Sequence, residues 1–322
     1  SYLVSLGGGV SFKSFAIGAV NLYMLATGYL MYGKTFKIKR IVRIWTETFF
    51  YSALMGGIVI FLTRQWGLRD IVKSCLPVIS IEYWYITAYI VLLLFSPALN
   101  ITVSGLDKKN AYGLLGLIVV FFSLWKSIFP NNGLLETGYL QGYGIVWMMC
   151  MYLFGAIIKK YPPYISKKNL IFGIYLVCSM LIFCVSMLGR NMHILDDGNK
   201  VFDYNHIFVL CGSVSLFLIL LHIPNNNSFV STKISTISNH TLAVYLIQEQ
   251  FRLKDILWTL ITDFVLKHSY IIILLFSVMA IILVFSTCIL IDILRKKIFE
   301  RLQIDEIVTK ILEKLAYRIG LV

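Results

Sequence analysis

Charge is the scarcest commodity in this chain. Asp, Glu, Lys and Arg together make up 14% of its 322 residues, where a soluble domain carries about a quarter. With 58% of residues hydrophobic and a mean hydropathy of +0.80, no water-facing surface can be assembled, which excludes a soluble globular fold. Acidic residues are scarcer than basic ones, 16 against 29, for a formal charge of +13. Such a balance suggests nucleic acid, but the positive charges sit in short loops between apolar runs, so that partner is excluded. The six cysteines are scattered, with no Cys-x-x-Cys pair. They read as apolar packing rather than as a disulfide framework or a metal site. Gly7-Gly8-Gly9 is not followed by Gly-Lys-Ser/Thr, so a P-loop is absent and the run reads as a turn.

What the chain has in quantity is long apolar runs. They are continuous and do not alternate residue by residue, which indicates helices rather than barrel strands. A hydrocarbon core about 30 Å thick takes roughly 20 residues of helix at 1.5 Å each. Nine such spans are expected, near 15–33, 44–63, 79–99, 111–129, 143–158, 169–189, 205–222, 238–257 and 270–292. The fold class is therefore an all-α polytopic membrane bundle. One membrane domain is expected over 1–292, with a tail over 293–322. In the tail Ile304, Ile307, Ile311, Leu315 and Ile319 recur at helical spacing. That predicts an amphipathic helix, either on the inner membrane surface or packed on the protein's own inner face.

The basic residues orient the bundle. One set of alternate loops together with the tail holds 19 of the 29, the opposite set 10. The richer set is expected on the cytoplasmic side, in contact with anionic lipid or a phosphate-bearing ligand. With an odd number of spans and a cytoplasmic tail, Ser1 falls on the outer side. The expectation that follows is one further helix before it, entering from the cytoplasm.

Chemistry-bearing side chains are few. Lys34, Lys37, Lys39, Arg40 and Arg43 form the densest positive cluster. Arg40 and Arg43, three apart, share one helix face and suit bidentate phosphate binding; a plain positive-inside anchor is the competing reading. Glu47, four residues beyond Arg43, is expected to pair with it. Ionisable groups inside spans are costly and tend to face an interior cavity. Glu82, with Tyr83, Trp84 and Tyr85, opens the third span. Gln248, Glu249 and Arg252 interrupt the eighth, as a self-satisfied cluster or as an acceptor site. His206, after Asp203, Tyr204 and Asn205, stands at the mouth of the seventh. His193 has Asp196 and Asp197 at metal-like spacing, but in a polar loop that reads as solvated. His222, His240 and His268 lie near span ends and declare no role.

Several segments together carry a resemblance. NLYMLATGYLMYGKTFKIKRIVRIW (21–45), EYWYITAYIVLLLFSPALN (82–100), YGIVWMMCMYLFGAIIKKYP (143–162), YNHIFVL (204–210) and LAVYLIQE (242–249) are similar, in order, to stretches of the membrane acyltransferase-3 family. That family's aromatic helix ends in Ser-Gly-Phe/Tyr before a basic segment with paired arginines, and a later helix ends in Ser-Pro-x-Leu-Asn.

The resemblance implies an integral membrane O-acyltransferase with a ten-helix core. It would move an acyl group, usually acetyl, from cytosolic acyl-coenzyme A to a hydroxyl on a cell-surface glycan or glycan-lipid intermediate at the plasma membrane. No cofactor would be held, since acyl-coenzyme A is a substrate. By position, Arg40 and Arg43, with Lys39 beside them, would hold coenzyme phosphates. Glu82, Trp84 and Tyr85 would line the acyl or acceptor path, as would Gln248, Glu249, Arg252 and His206. The family's catalytic histidine belongs to its first helix, which would precede Ser1, so the resemblance names no base here. Gln248 stands where many members have His, and Thr27 where Ser is usual. Two other readings are weighed against the enzyme: a transporter or flippase of glycan intermediates, which asks for helices broken at matching points of two halves, and an inactive, shortened relative.

Overall fold

The computed structural model describes residues 13–64, 67–129, 142–192, 200–223, 228–250, 253–256, 259 and 270–318. Arg252, His193, Asp196 and Asp197 lie outside them. Among the described residues the structure consists of helices and their connections with no strands, and seven helices are long and apolar enough to cross a membrane. The all-α polytopic membrane class is what the structure shows. Two compact units form, one from residues 1–36 and 91–224, the other from 37–90 and 225–322.

The first unit contains α1 (Ala19–Met31), the latter part of α4 (Trp84–Gly105), α5 (Lys108–Ile118), α6 (Ile145–Lys160), α7 (Lys168–Met192) and α8 (Ile207–Leu221). A π-helical stretch, Val119–Leu124, carries α5 on to Trp125–Ile128. The expected span at 143–158 is α6, 16 residues long, about 24 Å at 1.5 Å per residue. It is short for a crossing but is the most enclosed helix of the unit, with Trp147, Met148, Met151, Tyr152, Ala156 and Ile157 all at 1% exposure or less.

Helices α1 and α6 approach with their backbones nearly in contact. A methyl group at Gly28 would fall 2.0 Å from the Tyr152 carbonyl oxygen, and one at Gly155 would fall 2.0 Å from that of Leu25. Small residues on both faces permit this approach, which in lipid is a main source of helix association. Buried amides tie the unit further. Asn21, fully buried, donates to the Tyr204 carbonyl at 2.8 Å and accepts from Trp147 Nε1 at 3.0 Å. Asn100 accepts from Tyr152 Oη at 2.9 Å and donates to the Met31 carbonyl. Lys160 Nζ donates to the carbonyls of Val103, Ser104 and Leu106 at 2.7–2.9 Å, satisfying oxygens that the end of α4 leaves orphaned.

The second unit contains α2 (Ile38–Thr63), α3 (Leu68–Cys75), the first turns of α4, α9 (Ser228–Ser238), α10 (Thr241–Gln248), α11 (Tyr270–Arg301) and α12 (Ile304–Arg318). The expected eighth span is much reduced: α10 is eight residues long and leaves helical geometry at Glu249. Gln250 then turns its side chain back, its Oε1 accepting from Leu253 N at 2.8 Å. The Gln250 side chain thus takes a local backbone N–H in place of the helix ladder. Helix α11 runs on to Arg301, past the boundary at 292 that hydropathy suggests, because Asp292 and Arg295 are buried within it. After a left-handed Gln303, α12 packs on α2, with Thr46 Oγ1 donating to Asp305 Oδ1 at 2.9 Å. Ile307 and Ile311 remain about half exposed on its outer side, so the tail helix docks on the protein with one face and keeps an apolar face open.

Candidate functional site

Apart from His206 and Arg252, the residues singled out from the sequence fall into two places in the second unit, and a third place was not anticipated. Lys39, Arg40 and Arg43 occupy the first turns of α2. Lys39 and Arg43 are exposed and Arg40 is half-buried. Lys39 Nζ stands 3.9 Å from Glu306 Oε1 of α12 with both groups open, a geometry worth little in energy. Glu47 does not pair with Arg43, as expected from their spacing. It is 3% exposed and lies against the equally buried Arg295, whose Nη2 is 3.3 Å from Glu47 Oε2. A carboxylate withdrawn from solvent takes the charge buried with it, while exposed Arg43 keeps its hydration.

The second place gathers the start of α4, the end of α10 and α3. Glu82 Oε2 is paired with Lys73 Nζ at 3.2 Å, its side chain only 6% exposed. Tyr83 Oη donates to the Leu246 carbonyl at 3.0 Å. The ring of Tyr85 meets those of Trp84, Tyr89 and Tyr245 with centroids about 6 Å apart. Gln248, half-buried, closes α10, and Glu249 Oε2 takes Lys254 Nζ at 2.6 Å. Ser74 Oγ and Gln250 Nε2 are buried with no hydrogen-bond partner. Both stand next to Gly56, where a methyl group would come 2.2 Å from Ser74 Oγ. His206 belongs to the other unit. Its Nδ1 accepts from Phe208 N at 3.4 Å and so caps α8.

The unanticipated place is the most strongly organised. Asp292 of α11, fully buried, is the centre of a charged cluster. Its Oδ1 accepts from Tyr51 Oη at 2.8 Å and from Arg295 Nε at 2.7 Å. Its Oδ2 lies 2.5 Å from His240 Nδ1 and 3.5 Å from Lys296 Nζ. Lys296 also donates to the Asn239 carbonyl at 2.6 Å, which fixes the turn that presents His240. The Arg295 guanidinium lies over the rings of Tyr51 and Phe299, 5.7 and 5.0 Å from their centroids. Tyr51, Met55, Tyr83, Ile86, Ala243 and Leu246 are among the apolar residues that enclose this part of the unit.

Two valences of the cluster are unused. Glu47 Oε1 and Arg295 Nη2 are buried without a hydrogen-bond partner, since the approach of Nη2 to Glu47 is off the line a hydrogen bond needs. Buried polar atoms are nearly always satisfied, and here the ion pair between Arg295 and Glu47 Oε2 takes the place of a hydrogen bond. A sequence signal for the cluster existed. Asp292 and Arg295 are three apart at the end of an apolar run, and an intramembrane carboxylate is a functional pointer by default. A span ending at 292 has Asp292 as its last residue and leaves Arg295 in the tail, whereas α11 carries both. Among the described residues, no three His, Cys, Asp or Glu side chains are placed to hold a metal ion.

Comparison with known proteins gives one result. The acyltransferase-3 model, described as an acyltransferase domain, matches residues 3–295 of the chain. No curated protein and no solved structure matches it.

Proposed function

The chain belongs to the acyltransferase-3 family, and on that premise we propose that it is an integral membrane O-acyltransferase that takes an acyl group, acetyl in the simplest case, from cytosolic acyl-coenzyme A to a hydroxyl of a cell-surface glycan or glycan-lipid intermediate. The observation that carries the reading is the extent of the match, which takes in six of the seven apolar helices whole and most of the seventh. The protein stands in the plasma membrane, with its basic loops and C-terminal helix on the cytoplasmic side.

In this reading Lys39, Arg40 and Arg43 receive the phosphates of the coenzyme. Guanidinium groups suit that task because they stay charged and present a planar fork to the phosphate oxygens. Glu82, Trp84 and Tyr85 line the path of the acyl group or acceptor together with Gln248 and Glu249. Ser74 Oγ and Gln250 Nε2, buried and unpaired, are groups with which a sugar hydroxyl can exchange hydrogen bonds.

The reaction needs no redox group: a hydroxyl oxygen adds to the thioester carbonyl, the carbon–sulfur bond breaks, and coenzyme A leaves as the thiol. The direct test uses inverted vesicles carrying the full-length protein, given radiolabelled acetyl-coenzyme A and a strain background that supplies glycan lipids. Label in the glycan lipid, absent without the protein, supports the proposal. No transfer from acetyl- or longer acyl-coenzyme A would sink it.

A further inference from the structure

We propose that α12 is an interfacial helix whose partner is the anionic surface of the cytoplasmic leaflet: Ile307 and Ile311 enter the lipid, and Lys310 and Lys314 meet its phosphate headgroups. This lipid contact is separate from the donor and acceptor groups above, and takes its side of the membrane from the orientation of the basic loops.

Depth is the first support. The apolar span of α11 runs to Arg301, and α12 begins at Ile304. Three peptide steps allow about 11 Å at most between them, so α12 starts at the level of the headgroups. Leu290, Leu294, Ile298 and Leu302 recur every four residues along α11 and its terminal turn, each more than half exposed. That apolar row leads from the hydrocarbon to the edge of the left-handed turn at Gln303, and α12 carries it on.

Attachment is the second. Helix α12 packs beside α2, through the bond from Thr46 to Asp305 and the approach of Lys39 to Glu306. Both contacts fall on the entry turns of α2, which is itself one of the seven apolar helices. Thr46 and Thr309, at 5% and 9% exposure, mark the docked side. Helix α12 therefore lies alongside the membrane-entry turns of α2 rather than out in the cytosol. By the same contacts it holds the basic turn of α2 at headgroup level.

The open face has the chemistry of a lipid interface. Ile307 and Ile311 stand four apart, and so do Lys310 and Lys314, all exposed. The two rows are neighbours on the helix surface. Isoleucines that sink into the acyl boundary, flanked by lysines that reach up to the phosphates, are what a helix lying in the interface presents. Lys297 and Arg301, also four apart and exposed, extend the positive charge along the end of α11. Glu300 and Glu306 are exposed in the same stretch, and Glu306 faces Lys39. An anionic leaflet attracts such a surface. A second copy of the chain does not fit it, because a two-fold contact sets like charges against each other.

The test uses the full-length protein without its six native cysteines, carrying a nitroxide at Ile307→Cys, Ile311→Cys or Lys314→Cys. It is reconstituted in an equal mixture of phosphatidylcholine and phosphatidylglycerol. Collisions with oxygen, which concentrates in lipid, are compared with collisions with a nickel chelate, which stays in water. The oxygen-to-nickel ratio should be several-fold higher at 307 and 311 than at 314, and should fall at 311 in phosphatidylcholine alone. Nickel access at 307 and 311 equal to that at 314 would put the face in water and overturn the proposal. Shielding of both positions from both reagents would overturn it too, by showing a protein partner. With the label at 311, Lys310→Gln with Lys314→Gln should abolish the dependence on phosphatidylglycerol; an undiminished dependence would show that these lysines do not meet the headgroups. If the cysteine-free protein does not insert, amide exchange over 304–314 in the native chain decides. It should be slower in the mixture than in phosphatidylcholine alone, and equal rates would overturn the contact. No readout here involves acyl transfer, so each outcome leaves the acyltransferase reading to its own test.

Discussion

Tyr51 and Asp292 lie 241 positions apart in the sequence, and the phenol of the first donates to the carboxylate of the second at 2.8 Å with neither side chain exposed. The bond shows how α2 and α11 are fixed together within their unit. Tyr51→Phe removes one donor but leaves Asp292 with Arg295 and His240, so a loss of about 1–3 kcal/mol is expected. Asp292→Leu strands the guanidinium, the imidazole N–H and the phenol together, for which about 3–5 kcal/mol is expected. Equilibrium unfolding in mixed micelles, followed by tryptophan fluorescence, should rank the two in that order. Equal losses would show that Asp292 is not the centre of the cluster.

The contact between α1 and α6 gives a prediction about packing alone. Gly28→Ala and Gly155→Ala each drive a methyl group to 2.0 Å from a carbonyl oxygen of the opposite helix. Backbone cannot yield as a side-chain tip can, so the helices must separate. A cost of about 1–3 kcal/mol or more is expected for each. Gly173 on α7 meets nothing within 4 Å, so Gly173→Ala should be neutral or slightly stabilising through helix propensity. Thermal midpoints in one detergent distinguish the cases, and a neutral Gly28→Ala would refute the close approach.

Much of this architecture is legible in hydropathy, because a run of apolar residues long enough to cross lipid has few other uses. The first four expected spans, and those at 169–189, 205–222 and 270–292, correspond to the seven helices able to cross. The eighth gives way after Gln248, where the Gln250 side-chain amide takes a backbone N–H in a way that hydropathy cannot see. The charged cluster is poorly legible for another reason. Glu47, His240 and Asp292 are separated by tens to hundreds of positions, and no local pattern unites them. The pairing of Glu47 with Arg43 illustrates the limit: spacing on one helix favours it, but burial selects Arg295 on another.

The basic turn of α2 yields a kinetic prediction. Arg40→Ala and Arg43→Ala should each raise KM for acetyl-coenzyme A several-fold, with kcat much less affected, because phosphate binding far from the reacting carbon contributes equally to ground and transition states. Added salt should weaken the wild type more than the double variant, since exposed charges are screened over about 8–10 Å at ordinary ionic strength. Lysine should restore only part of the loss, having no fork to offer. If the pair grips the ribose phosphate, acetyl-dephospho-coenzyme A should be used equally by wild type and variants. A wild type that still outperforms the variants on that donor would place the arginines elsewhere.

Orientation is the last expectation open to direct measurement. The 19 basic residues on one set of loops and the tail, against 10 on the other, put Lys34 and Lys310 on the cytoplasmic face and Arg69 on the outer one. All three positions are exposed. In a background without the six native cysteines, Lys34→Cys and Lys310→Cys should react with a membrane-impermeant maleimide in inverted vesicles and not in intact cells. Arg69→Cys should show the reverse. Should Lys34→Cys label from outside, the basic turn of α2 would face away from cytosolic coenzyme A. The arginines could not then be its phosphate site, whatever their spacing.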